Sequence, residues 1–237
     1  MRHGEYVRHL IVTPPDVQHG SRKIFLNQVL DFKGFYISPY DLGYVGYHKN
    51  KLNQLKRNYW NEESLAFAKS EWDSHIDKKD YSVGWHTHGA QKSGTNSQKG
   101  FCLQAMTLVR NRDEVRLNVF YRTVEIVKKF YADLYFIQQH VLPYFGVKPN
   151  RVFFYFSSVT INNLYLPLIM RFIVDHKEIF KQCKENDPHF YRAMCKWAKD
   201  YSLQDKVWPY MEMNRMQKEV NPKNLQWIRI LANDFND

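Results

Sequence analysis

Hydrophobic and polar residues alternate in some stretches of this chain and recur every three or four positions in others, and the two periods divide it into elements. "YSVGW" (81–85) has the alternation of a short strand. "FCLQAMTLVR" and "EVRLNVFY" predict two more strands, about 101–110 and 114–121, joined by a turn at "NRDE". "RVFFYFSSVTI" is aromatic and β-branched, and reads as a buried strand. Helical spacing marks "NEESLAFAKSEWDSHIDKK", which opens on Asn61 with acids in its first turn and places Leu65, Phe67, Ala68 and Trp72 on its apolar side.

The same period predicts a long amphipathic helix in "EIVKKFYADLYFIQQHVL" and a mostly helical chain from Leu166 onward, in "PLIMRFIVDHKEIFKQC", "PHFYRAMCKWAKDY" and "NLQWIRILAND". "SRKIFLNQVLDF" reads as a short helix. The aromatic, turn-rich "FKGFYISPYDLGYVGYHK" and the polar "HTHGAQKSGTNSQKG" predict no regular element. The order of strands, helix, strand and helices implies an α+β class, with a mixed, mostly non-parallel sheet packed with helices. With 237 residues and no internal repeat, a single domain over 1–237 is expected, its C-terminal part (176–237) helical.

Composition adds three constraints. The chain is 44% hydrophobic and 16% aromatic, with 10 Gly and 9 Pro, which suits a large core rather than disorder. Its formal net charge of +10 attracts phosphate groups without separating a nucleotide from a nucleic acid or an acidic membrane. Neither a signal-type leader nor an apolar run of roughly 18 residues is apparent, so a cytoplasmic, reducing setting is the expectation. Three cysteines, unevenly spaced, form neither a disulfide framework nor a zinc site.

The candidate chemistry is sparse. His86 and His88 stand two apart, eleven and thirteen residues after His75, but no third ligand has suitable spacing, so no metal is expected. Cys183 and Cys195 fall in amphipathic helices, where cysteine behaves as a small hydrophobe. Cys102 opens a strand after a polar approach and has two readings, a buried structural thiol or a nucleophile. Arg122 closes the second hairpin strand. If the strands are antiparallel about a turn near 111–113, Cys102 and Arg122 meet at one end of the ladder, the arrangement a thiolate needs beside a guanidinium that holds a phosphate.

With those residues in place, the chain resembles the thymidylate synthase family, which includes the phage dCMP hydroxymethylases. The resemblance covers roughly residues 62–175. "FYRT" is similar to that family's "YQRS" or "NMRS", at the same separation from the cysteine, with Thr123 in the serine place. Without a gap, the family's pyrimidine-binding asparagine falls on Asp133 in "FYADLYF", and its "HIY" segment on Asn163–Tyr165. "DKKDYSVGW" is similar to "DSRRIIVSAW".

The resemblance implies a thymidylate-synthase-like homodimer in which Cys102 attacks C6 of a pyrimidine. Arg122 and Thr123 would hold the phosphate, joined by Lys78 and Lys79 from across the dimer interface, with Tyr165 at the sugar and Asn163 beside it. Glu125 would contact the folate, and 5,10-methylenetetrahydrofolate would supply the carbon. The departures are lysines for the arginine pair, Asn163 for histidine, "KKFYAD" for "GLPFN", a longer loop before the cysteine, and no placeable N-terminal catalytic glutamate.

Asp133 bears on base choice. Uracil offers N3–H and an O4 acceptor, which an asparagine amide satisfies; cytosine offers an N3 acceptor and an N4 donor, which suit a protonated carboxyl group. The resemblance therefore implies a one-carbon transferase acting on C5 of a cytosine nucleotide, with deoxycytidylate 5-hydroxymethylation as the leading expectation and Cys102 and Asp133 as its catalytic residues. A virus-encoded pathway for a modified base suits the divergent composition. Two alternatives stand beside it: an enzyme of this fold acting on bases in DNA or nucleotides without folate, and a non-catalytic nucleotide-binding relative.

Overall fold

The structure is a computed structural model that describes residues 3–19, 22–33, 49–87, 102–127, 129–162, 169 and 176–202. The long polar loop, the aromatic segment from 34, most of "PLIMRFIVD" and the last predicted helix lie outside the described residues. The chain divides into two compact units, one built mainly from residues 47–160 with Phe25–Gly43, the other from Arg2–Ile24 and Ile161–Asp237.

The first unit is a sheet with helices packed against it. Its strands are β2 (Arg22–Phe32, whose first three residues belong to the second unit), β3 (Asp80–His86), β4 (Leu103–Asn111), β5 (Glu114–Glu125) and β6 (Arg151–Asn162). They lie in the order β2-β6-β5-β4-β3. β3–β4 and β4–β5 pair antiparallel while β5–β6 pair parallel, so the sheet is mixed and the class α+β, as the element order implies. The β4–β5 hairpin turns tightly because Arg112 adopts a left-handed conformation (φ 53°).

The helices of this unit are α2 (Lys49–Tyr59), α3 (Glu62–Ser74), α4 (Lys129–Phe136) and α5 (Leu142–Phe145), the last two joined by a π-helical turn at Ile137–Val141. α3 begins where the sequence indicates, with the Asn61 side chain accepting the Ser64 N–H at 3.2 Å. Leu65, Ala68 and Trp72 are buried at helical spacing, but Phe67 is 66% exposed and not part of that face. The predicted helix from Glu125 starts later, at Lys129, since Glu125 still belongs to β5. It is also not amphipathic: Phe130 to Leu134 are all buried, with Phe130 packed edge-on to Phe154 (5.0 Å) and Phe156 (5.5 Å) of the sheet.

β2 corrects the helix expected over "SRKIFLNQVLDF". Phe25 and Leu30 are buried and Leu26 and Val29 exposed, so the inward phase changes between them, and Asn27 sits there at φ 50°. An irregularity that inserts one residue turns alternation into the spacing 25, 26, 29, 30, which looks helical on paper.

The same change of phase recurs in neighbouring strands. On β5, Leu117, Val119 and Tyr121 face inward and then Val124; on β6, Val152, Phe154 and Phe156 and then Val159. On β4 the register slips at Gln104, between Leu103↔Tyr121 and Ala105↔Phe120. These four irregularities line up across the sheet, and each re-aims the side chains next to it.

The second unit contains α1 (His3–Val12), β1 (Val17–His19) paired antiparallel with the first residues of β2, α6 (Lys177–Asn186) and α7 (Pro188–Ser202). Cys183 and Cys195 are fully buried in α6 and α7, as their helical spacing predicts. Lys23 is wholly buried and ion-paired, its Nζ 3.0 Å from the Asp187 carboxylate, donating to the Ile11 carbonyl at 2.7 Å and lying over the Phe190 ring.

Candidate functional site

The row of irregularities brings Cys102 and Arg122 together. Cys102 immediately precedes β4, its carbonyl accepts the Arg122 N–H at 2.9 Å, and the next ladder pair is Leu103↔Tyr121. They meet at the end of the hairpin ladder, as the antiparallel reading requires. The start of β4 is clamped by Thr87, a buried residue. Its hydroxyl donates to the Leu103 carbonyl at 2.6 Å, and its N–H to the Gln104 carbonyl at 3.0 Å. Within "HTHG" the side chain that matters to this site is thus the threonine between the histidines. His86 is exposed, His75 stacks on Tyr81 at 4.3 Å, and His88 lies outside the described residues. Among the described residues no three His, Cys, Asp or Glu side chains converge on a metal position.

Asp133 joins this pair from α4. It is 4% exposed, and burial pushes its carboxyl group up to about 8 against the opposing pull of Tyr121, Lys129 and Tyr59. At neutral pH it is therefore mostly a protonated acid, able to donate one hydrogen bond and accept others. In its ionised form it also acts on Cys102, whose half-buried thiol is raised chiefly by burial and then by Asp133, while Lys129 and Arg122 pull it down. The two cations assist the thiolate but do not outweigh burial, so the expectation that local positive charge favours the thiolate holds in direction and not in net effect.

Three residues of this cluster were not legible as site residues. Lys129 stands at the first position of α4, where the sequence shows only a helix-forming lysine. Tyr121 is a strand residue buried beneath α4, and Tyr59 is the last residue of α2. The one signal for Tyr121 is its place in "FYRT", directly before the arginine.

The remaining residues are distributed as follows. Thr123 is half-buried in β5 opposite Ser158. Glu125 caps the start of α4: its carboxylate accepts the Val127 N–H at 3.1 Å and the Lys129 N–H at 3.2 Å. The two backbone N–H groups take one acceptor site on each carboxylate oxygen. Lys78 and Lys79 are exposed, with the Lys79 carbonyl bonded to Arg112 N–H, at the hairpin-turn end of the sheet. From there the ladder runs six residue steps to His86↔Ala105, about 20 Å away from Cys102's end. One chain does not bring these lysines to the thiol. Asn163 and Tyr165 lie outside the described residues.

Arg122 itself is exposed and lines a pocket of about 530 Å³ at this end of the sheet, with Asn27, Gln104, Tyr121, Phe156 and Ser157. The sheet carries Leu26, Val29, Phe120 and Tyr155 in the open, the last two stacked at 5.1 Å.

No family model matches the sequence. No curated protein matches it either. Among solved structures, the chain is similar to thermostable thymidylate synthase A from Bacillus subtilis. The two are 8% identical, the match covers 72% of this chain and 82% of that one, and the TM-score is 0.43. The likeness is a distant one. No helix among the described residues is long and apolar enough to cross a membrane.

Proposed function

We propose that this protein activates C5 of a cytosine nucleotide by adding the Cys102 thiolate to C6, in the manner of a deoxycytidylate 5-hydroxymethylase. The observation that carries the reading is the meeting, at one end of the β4–β5 ladder, of a half-buried thiol, an arginine and a buried acid that is protonated at neutral pH. A protonated Asp133 donates to cytosine N3 and accepts from its N4 amino group. Donation to N3 withdraws electrons from the ring, which makes C6 more electrophilic. The sulfur forms a bond to C6, the C5=C6 π pair moves onto C5, and C5 becomes a carbon nucleophile. C5 then takes up an electrophile, a solvent proton in simple exchange or an electrophilic carbon in group transfer. Its original hydrogen leaves as a proton, that bond's electron pair re-forms C5=C6, and the C6–S bond breaks to return the thiolate. Arg122 and Thr123 supply charge and hydrogen bonds for the phosphate.

The one-carbon unit implied by the resemblance is that of methylenetetrahydrofolate; the residue assigned to it, Glu125, is held by the backbone N–H groups of Val127 and Lys129, and no step is derived through that group. A second reading, in which the same C6 addition proceeds on a nucleotide or DNA base without folate, is separated from the first by whether exchange depends on added folate. A homodimer fits the open sheet face: a second copy stacked on Phe120 and Tyr155 about a two-fold axis running across the strands would set its Lys78 and Lys79 end over this chain's Arg122 end. The test is release of tritium from 5-³H-labelled dCMP and dUMP, with and without the folate, by wild type and by Cys102→Ser. Release from dCMP that the serine variant lacks supports the assignment; release from neither nucleotide overturns it.

A further inference from the structure

We propose that Tyr121 is a positioning residue, whose hydroxyl donates to one oxygen of the Asp133 carboxyl group and leaves the other edge of that group to the ligand. The inference rests on the pyrimidine reading for its ligand, and on the geometry of this chain for the contact itself.

Tyr121 is 3% exposed and enclosed by three aromatic rings, Phe156 at 5.3 Å, Phe130 at 6.1 Å and Phe154 at 6.4 Å. Its hydroxyl is buried and makes no hydrogen bond of good geometry. A phenol packed in this way gains nothing from its oxygen that phenylalanine would lack, and leaving that oxygen unpaired destabilises the fold. Phe130 and Asp133 are three residues apart on α4, hence on the same side of the helix, and both are buried. The helix side that presses Phe130 onto the Tyr121 ring therefore also directs Asp133 toward β5. Tyr121 in turn is the ladder partner of Leu103, beside the nucleophile candidate. Hydrogen bonds at such sites are often poorly aligned until a ligand draws the groups together.

Asp133 is faced from every side by groups able to set its charge. They are Tyr121 on β5, Tyr59 on α2 and Lys129 on its own helix, each favouring the ionised form. Cys102 lies within reach of its charge, with Arg122 beyond the thiol. Of these, Tyr121 is next to the candidate nucleophile in the ladder and holds an unspent donor. A donor fixed on one carboxyl oxygen confines the acid's own proton to the other oxygen, which is the one that must donate to a cytosine N3. Tyr121 would thus determine which base edge the acid reads, as well as how readily it ionises.

The test is Tyr121→Phe, which keeps the ring and its packing. The Asp133 carboxyl is followed by ¹³C NMR across pH in wild type and variant, with Asp133→Asn to assign the signal. Loss of the donor moves the titration midpoint upward, and a midpoint unchanged within 0.2 pH units ~ the reading error of such curves ~ overturns the contact. Tritium release from dCMP and dUMP provides the second arm. The variant is expected to lower the dCMP-to-dUMP ratio of kcat/KM at least about tenfold and to move the alkaline limb of the dCMP profile upward. A shifted midpoint with no release from either nucleotide, even by wild type, leaves the Tyr121–Asp133 contact standing and refutes the pyrimidine reading. A shifted midpoint with an unchanged base ratio refutes the specificity role.

Discussion

Replacing Asp133 by Asn should make the protein more stable, and increasingly so as pH rises. The carboxyl group is 4% exposed and is raised from 3.8 to about 8 by burial. An acid whose folded pKa lies above its unfolded one penalises folding once the unfolded chain ionises and the folded chain does not. The penalty is absent below pH 4, grows by about 1.4 kcal/mol per pH unit, and levels off once the folded group ionises near pH 8. Between pH 5 and pH 8 that amounts to about 4 kcal/mol at full strength, and relaxation of the surroundings reduces it to about 2 kcal/mol. The amide is nearly isosteric and carries no charge, so it escapes this term.

Urea unfolding of wild type and variant at pH 5 and pH 8 measures the difference. The variant should gain about 2 kcal/mol over wild type across that interval, while losing the preference for a cytosine base. A stability difference that does not change with pH would refute the burial of an ionisable acid at 133, and with it the argument for base choice. A stable variant with altered specificity would be the usual exchange of stability for function at a site.

Three further outcomes are expected. Alkylation of Cys102 by iodoacetamide should be slow at pH 7 and rise only at alkaline pH. Lys129→Ala should slow it further by removing a charge that pulls the thiol down, and rates that do not differ from wild type would remove Lys129 from the site. Asp187→Asn should cost about 3 kcal/mol in urea unfolding because it strands the buried Lys23 ammonium group, whereas Lys23→Met with Asp187→Asn should recover most of that loss. Wild type should sediment as the proposed homodimer at micromolar concentration and Phe120→Glu as a monomer; a monomeric wild type would refute the dimer, and a dimeric variant would move the interface away from the open sheet face.

What could be read from the sequence was set by local chemistry. Asn61 gave the start of α3 because an N-cap acts within one turn, and "NRDE" gave the hairpin because turn residues act locally. Once the hairpin was placed, the neighbourhood of Cys102 and Arg122 followed from counting along an antiparallel ladder. The strand at Arg22–Phe32 was misread because an irregularity at Asn27 changes the inward phase and imitates a helix. Phe67 was misplaced because one apolar residue does not show which side of a helix is covered. Tyr59 and Lys129 carry no signal in the pattern, and Tyr121 only its place before Arg122, since their position at the site depends on how α2 and α4 pack against the sheet. Glu125 was given a role by resemblance, while the two backbone N–H groups it caps appear only in three dimensions.

The measurement that bears most directly on the central claim is tritium release from 5-³H-dCMP by wild type and by Cys102→Ser. The account predicts release from dCMP in excess of dUMP, and none from the serine variant, whose fold is checked by its unfolding curve. Dependence on methylenetetrahydrofolate would establish the donor, and release without it would establish the folate-independent reading. Equal release by wild type and the serine variant, or none from either nucleotide, would contradict Cys102 as the nucleophile of a pyrimidine-modifying enzyme.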